Sequence, residues 1–191
     1  MPTIDLKTLQ ENLAKSVVAV LEAQQASVII AMNEFRADLN DRVFLRGEDV
    51  GGQKIGSYST TPFYASLNST SQVRGSSLKP KGKNASGDFK NGKQRKSQYM
   101  PGGYKEYRSV VGRQNEKVDL NLTGSLKGDI RLGQSSGSVE LAFTTDKQLK
   151  IAEGNQNRFG KVIFAASQSE IDNIVNLHEE MVSKAFFDAF K

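Results

Sequence analysis

The chain has no cysteine. That excludes disulfides and thiolate metal sites and fits a protein made in a reducing cytoplasm. Its single histidine is His178. A zinc site would need partner ligands that the sequence does not offer, and imidazole general-base schemes have little to draw on. The N-terminus lacks a basic segment followed by an apolar core, so no secretory signal is expected. The longest apolar stretch, Ala26 to Met32, is too short and too interrupted to span a bilayer, so no membrane is expected. Nucleophile elbows, nucleotide loops and phosphoryl-transfer signatures are absent from the sequence.

Apolar residues make up 37% of 191. That suits one domain with a lean core and a sizeable insertion. The formal charge of +5 conceals an asymmetry. Arg74 to Lys117 holds twelve Lys or Arg against three Asp or Glu, a net +9, so the remainder carries −4. Such a block points to a polyanionic or acidic partner, or to a solvated loop kept soluble by its charge.

Residues 5 to about 40 read as one long helix. Leu6, Leu9, Leu13, Val17, Leu21, Val28, Met32, Phe35 and Leu39 recur at helical spacings, with Thr3 or Asp5 as a cap. Such a helix is about 50 Å long, more than a small domain needs, so part of it should pack on another subunit. The alternative is a break near Ser27, where Val28, Ile29 and Ile30 lower helix propensity.

Asp41 to Tyr64 is turn-rich. Asp49 lies among glycines without the alternating oxygens of a calcium loop, and Gly51-Gly52-Gln53-Lys54 lacks phosphate-loop spacing. The segment reads as a structural turn followed by an extended piece at 55–59. Residues 66 to 98 are Ser-, Gly-, Lys- and Asn-rich and read as an exposed arm, far longer than an ordinary connection. Its cations Lys79, Lys81, Lys83, Lys93, Arg95 and Lys96 lie near Tyr99, Tyr104, Tyr107, Arg108 and Arg113. Lys and Arg can neutralise phosphates and tyrosines can stack on bases. Together they form a candidate contact surface for DNA backbone or a neighbouring subunit. No sequence-reading motif accompanies them.

Beyond Pro101-Gly102-Gly103 the pattern becomes regular. Tyr104 to Val111 suits a short helix or strand. Val118, Leu120 and Leu122 alternate with Asp119 and Asn121, as in a half-buried strand. Gln134 to Gly137 is a hairpin turn leading to Val139, Leu141 and Phe143. Residues 144–154 read as a polar connection or short helix, and 161–164 as a strand. Ser167-Gln168-Ser169-Glu170 is a capping box. Ile171, Ile174, Val175, His178, Val182, Ala185, Phe186 and Ala189 then form one helical stripe, on which His178 reads as a hydrogen-bonded, partly buried residue.

The expected fold is α+β: a long N-terminal helix (1–44), an extended basic insertion (45–103), and a small, mostly antiparallel sheet with a closing amphipathic helix (104–191), all in one domain. Adjacent carboxylates such as Glu48 and Asp49 would diverge from a strand, so a small cell-wall hydrolase ranks behind non-enzymatic readings.

Leu122-Thr123-Gly124-Ser125-Leu126, followed by Arg158, Gly160, Phe164 and Ser167, resembles the core of phage tail-completion (neck, head–tail connector) proteins over residues 104–190. The resemblance implies structural roles: Thr123 and Gly124 would form a turn, and Ser167 and Glu170 would open the last helix. It implies a virion protein made in the host cytoplasm, without enzyme activity or cofactor. Copies would form a ring around the DNA channel beside portal, adaptor or tail proteins. The long first helix and the insertion depart from the family pattern. A basic, non-specific nucleic-acid-binding module is the alternative.

Overall fold

The computed structural model describes residues 6–66, 86–88, 94–135 and 138–190. Helix α1 runs unbroken from Leu6 to Asn40, so the expected weak point at Ser27 does not interrupt it. The caps considered at Thr3 and Asp5 lie outside the described residues. The helix widens into a π-helical turn, Asp41–Arg46, and stops at Gly47 with φ 68°. Only glycine fits there, because a Cβ would lie 2.4 Å from the Val118 carbonyl oxygen.

Three short strands form one antiparallel sheet in the order β1 (Phe63–Ser66), β3 (Gln94–Met100), β2 (Ser86–Asp88). Helix α2 (Gly103–Val110) follows, then a loop and the short α3 (Ser125–Asp129). Strands β4 (Ile130–Ser135) and β5 (Ser138–Phe143) form an antiparallel hairpin in register from Ile130–Phe143 to Ser135–Ser138. Val139, Leu141 and Phe143 turn inward, as their alternation requires. Helix α4 spans Asp146–Phe159, with the Thr145 side chain accepting from the Gln148 amide, and ends at Gly160 in the left-handed region. Helix α5 (Gln168–Phe190) closes the fold. The architecture is α+β, with a long first helix, two small antiparallel sheets and a closing helix.

The main core joins the end of α1 and the π-turn (Phe35, Leu39, Val43, Phe44) to Ile55, Tyr58, Val118, Leu126, Ile130 and Ile163. A smaller cluster, Ala65, Met100, Tyr107 and Val111, seats β1 and β3 on α2. Part of the expected insertion therefore belongs to the core: Ile55 and Tyr58 are buried. Asp49 is the structural turn that was expected. Its Oδ1 accepts from the Gly51 and Gln53 amides, and its Oδ2 from Lys161 Nζ at 2.8 Å.

Two expectations are corrected. Residues 117–122 are not a strand. Asp119 is buried rather than outward, because its carboxylate is captured inside the fold, and Leu120 adopts φ 50°. Residues 161–164 form no strand and pair in no sheet among the described residues. The Gln156 side chain takes the Ile163 and Phe164 amides that a strand neighbour would otherwise take. Of the two readings for 144–154, polar connection or short helix, the helix holds: it runs 14 residues, capped by Thr145 and with Ala152 buried.

Helix α5 lies antiparallel to α1 and is capped as its sequence dictates. The Glu170 amide donates to Ser167 Oγ at 3.2 Å and the Ser167 amide donates to Glu170 Oε2 at 2.6 Å. The inward stripe differs from the expected one. Ile171 and Val175 are exposed, whereas Leu177 and Met181 join Ile174, His178, Val182 and Phe186 on the half-buried side.

Candidate functional site

Two surfaces stand out. The first is a cleft of about 340 Å³ between the 118–126 loop and α4. Lys147, Ile151, Asn155 and Arg158 reach it from α4 at spacings of four, four and three, which place them on one helix face. Val118, Leu120, Leu122 and Leu126 form its apolar wall. Thr123 and Gly124, the residues of the expected turn, lie at its edge. Gly124 has φ 83°, and the Thr123 and Ser125 hydroxyls bond to each other at 2.9 Å.

Behind the cleft lies a buried ionic centre. Arg108 Nη2 donates to Asp119 Oδ1 at 2.8 Å, and the Tyr58 hydroxyl donates to the same oxygen at 2.8 Å. The Asn121 amide is a third donor to it, and the Arg108 guanidinium stacks 4.4 Å from the Tyr58 ring centre. Arg108 also donates to the Gln114 and Asn121 carbonyls. Burial, with the hydrogen bond to the Asp119 carboxylate adding to it and the Arg108 charge opposing it, pushes the Tyr58 hydroxyl above the ordinary tyrosine range. It stays a neutral donor. One oxygen of the carboxylate, Oδ1, takes all three donors, and the cleft lining holds neither a carboxylate nor a histidine. The arrangement holds a loop in place; it pairs no nucleophile with a base.

The second surface is the free part of the α1–α5 helix pair. Toward the core α1 is buried at Phe35 and Leu39, but Leu6, Leu13, Val17 and Leu21 are 51–69% exposed. The seam facing α5 uses small residues, Ser16, Ser27 and Ala31, all essentially inaccessible. Ser27 Oγ lies 2.7 Å from His178 Nδ1, so His178 is the hydrogen-bonded, partly buried residue that was expected. Beside it a groove of about 580 Å³ runs between α1 and the β4–β5 hairpin, past Gln24, Gln25, Val28 and Val139. By length and composition, the continuous helix Leu6–Arg46 is long and apolar enough to cross a membrane, with a window of mean hydropathy 1.4. The sequence expectation weighed only the longest uninterrupted apolar stretch, Ala26 to Met32, which is shorter than this window.

The expected contact residues divide. Lys79, Lys81, Lys83 and Lys93 lie outside the described residues, and Arg95 and Lys96 lie on β3. Tyr99 is exposed on β3 and pairs with Tyr64 of β1, their ring centres 5.0 Å apart. Tyr104 stacks on Tyr107 and meets Tyr58 edge-on. Tyr107 and Arg108 are buried, so neither is available as a surface contact; aromatic packing and the Asp119 charge hold them inside. Arg113 is half-buried, and its Nε has no hydrogen-bond partner among the described residues. Thr123, Gly124, Ser167 and Glu170 occupy the turn and cap expected of them.

The Arg108–Asp119–Tyr58 centre was not read from the sequence. The one signal was an acid at 119 inside an apolar alternation. No cluster of three His, Asp or Glu side chains among the described residues could hold a metal ion. Compared with known proteins, the chain matches no family model, no curated protein and no solved structure.

Proposed function

We propose that the chain is a non-enzymatic structural subunit of a phage virion. In this reading it assembles with copies of itself into a ring of the neck or tail, in the manner of tail-completion proteins, and borders the DNA channel. The observation that carries the reading is the exposed apolar half of α1. Leu6 is 69% and Leu21 59% exposed in a chain whose core is already lean. A contiguous apolar stripe of this kind is costly in water and marks an interaction surface. The buried Arg108–Asp119 pair behind the cleft, which ties α2 to the 118–126 loop, agrees with a holding role.

Mass spectrometry and cryo-EM of the source particle test the reading. The chain is expected in the purified virion as a multi-copy component of the neck or tail, next to portal, adaptor or tail proteins. Its absence from the particle overturns the proposal.

One observation favours a second reading, a non-specific nucleic-acid-binding module: the +9 charge between Arg74 and Lys117. Binding of that kind is to phosphates and weakens steeply with salt. Affinity for duplex DNA that does not change between 50 and 200 mM salt, about the range over which phosphate contacts lose most of their strength, removes it.

A further inference from the structure

We propose that the exposed face of the α1–α5 helix pair is the docking site for the basic arm of a second copy, so that copies join head to tail. The inference rests on the assembly reading and names the two surfaces that meet.

The acceptor face is apolar. Leu6, Leu9, Leu13, Val17 and Leu21 lie on one side of α1 and are 41–69% exposed. The charged residues of that stretch, Lys7, Glu11, Lys15 and Glu22, fall on the opposite side at about 100° per residue. Phe187, near the far end of antiparallel α5, is 65% exposed. These side chains present on the order of 500–600 Å² of apolar surface, against roughly 800 Å² per partner in a standard interface. The face supplies most of one side of such an interface and leaves a polar remainder.

The apolar stretch is itself neutral, with two Lys and two Glu, so the charge of the rest of the helix pair identifies what covers it. Within Leu6–Asn40 and Gln168–Phe190 there are nine Asp or Glu and four Lys or Arg. One of the nine, Glu170, is neutralised by Arg42, so the helix pair carries −4. The segment from Arg74 to Lys117 carries +9, and among the described residues its Arg108 is paired with Asp119. Helix pair on helix pair sets like charge against like, as does arm on arm. Helix pair on arm sets opposite charges together. An anionic lipid surface is disfavoured by the same negative charge.

The arm also has an apolar body to offer. Tyr64 and Tyr99 form a cross-strand pair at the β1–β3 end of the arm, 47% and 43% exposed. Tyrosines are enriched where interfaces bury area. The two surfaces differ, so the contact is heterologous, and repeating it closes a ring or propagates a filament.

Two variants test this. One carries Leu13→Gln, Val17→Gln and Leu21→Gln, good helix formers at exposed positions. The other carries Ser at Lys79, Lys81, Lys83, Lys93, Arg95 and Lys96. Circular dichroism confirms that each folds. In sedimentation velocity at low salt, the wild-type chain should self-associate and each variant alone should be monomeric. An equimolar mixture should form a dimer and stop there, because one intact helix face meets one intact arm. Raising salt from 0.1 to 0.5 M should weaken wild-type association by about tenfold or more.

The inference is overturned if the arm variant or the helix variant self-associates like wild type, if the mixture stays monomeric, or if the wild type does. A second measurement avoids multiple substitutions. The chain has no cysteine, so a bismaleimide should join a Leu13→Cys copy to a Tyr99→Cys copy. Crosslinks formed only within each single variant reject the head-to-tail contact. A wild-type monomer in solution sinks this inference alone, since the presence of the chain in the virion tests the assembly reading separately.

Discussion

Arg42 and Glu170, 128 residues apart, form a two-pronged ion pair inside the protein. Arg42 Nε donates to Oε1 at 2.9 Å and Nη2 to Oε2 at 3.2 Å, with both side chains nearly inaccessible. The guanidinium also donates to the Ile163 and Ala165 carbonyls. The π-turn that ends α1 thus grips the loop that starts α5, and the same carboxylate caps α5 through the Ser167 amide.

Acid should release this grip. Burial alone would raise the Glu170 carboxyl, but hydrogen bonds from Arg42 and Ser167 outweigh it and hold the group below the usual glutamate range. The unfolded chain therefore binds the proton at higher pH than the folded one. The stabilisation is complete above about pH 4.3 and is lost as pH falls through the lower folded value. Melting temperature measured from pH 7 to 3 should fall in the wild type, and Glu170→Gln should flatten the acid limb of that profile. Parallel profiles for the two proteins would contradict the assignment.

Removing the Asp119 carboxylate should be severe. Asp119→Ala leaves the Arg108 guanidinium buried without a counter-charge, at about 3–5 kcal/mol. Tyr58→Phe removes one hydroxyl from the same oxygen and should cost only about 1–2 kcal/mol. Urea melts of the two variants give the order; equal losses would mean that Arg108 finds another partner.

Glycines at positive φ should differ by what surrounds them. Gly124→Ala meets only the left-handed backbone, φ 83° with nothing near its Cβ but Asn121 Oδ1 at 3.9 Å, and should cost about 1–2 kcal/mol. Gly47→Ala adds a collision with the backbone of buried Val118. Its loss in denaturant melts should exceed that of Gly124→Ala, and the reverse order would refute the contact.

The helix seam should reject bulk. Ser27→Leu places a large side chain where α5 lies against an inaccessible serine, at about 1–3 kcal/mol. Ser167→Ala should cost about 1 kcal/mol through the lost cap. Phe186 is only half-buried, so Phe186→Ala should fall below the roughly 3–5 kcal/mol of a fully buried ring. Thermal melts rank the three variants; a neutral Ser27→Leu would show that the helices can separate there.

The long helix, the β4–β5 hairpin and the Ser167–Glu170 cap were legible because each depends on neighbours within a few residues. Helical and strand periods are local, and a capping box closes over four residues. The 117–122 and 161–164 segments misled because alternation reports which side chains are apolar, not whether a partner strand exists to take the backbone. The exposed stripe of α1 was readable as surplus length and apolar spacing. Which residues of α5 face α1 was not, since the rotation of one helix against another is set by packing.

By itself, then, the sequence determined the elements whose physics is local, together with the charge asymmetry between a basic central block and an acidic remainder. Only the tertiary structure decided that Arg108 lies inside rather than on the arm, because Asp119 and Tyr58 reach it from segments 11 and 50 residues away. It also decided that Glu170 both caps a helix and binds Arg42. An ion's place follows from where its counter-ion is folded, and no local pattern carries that distance.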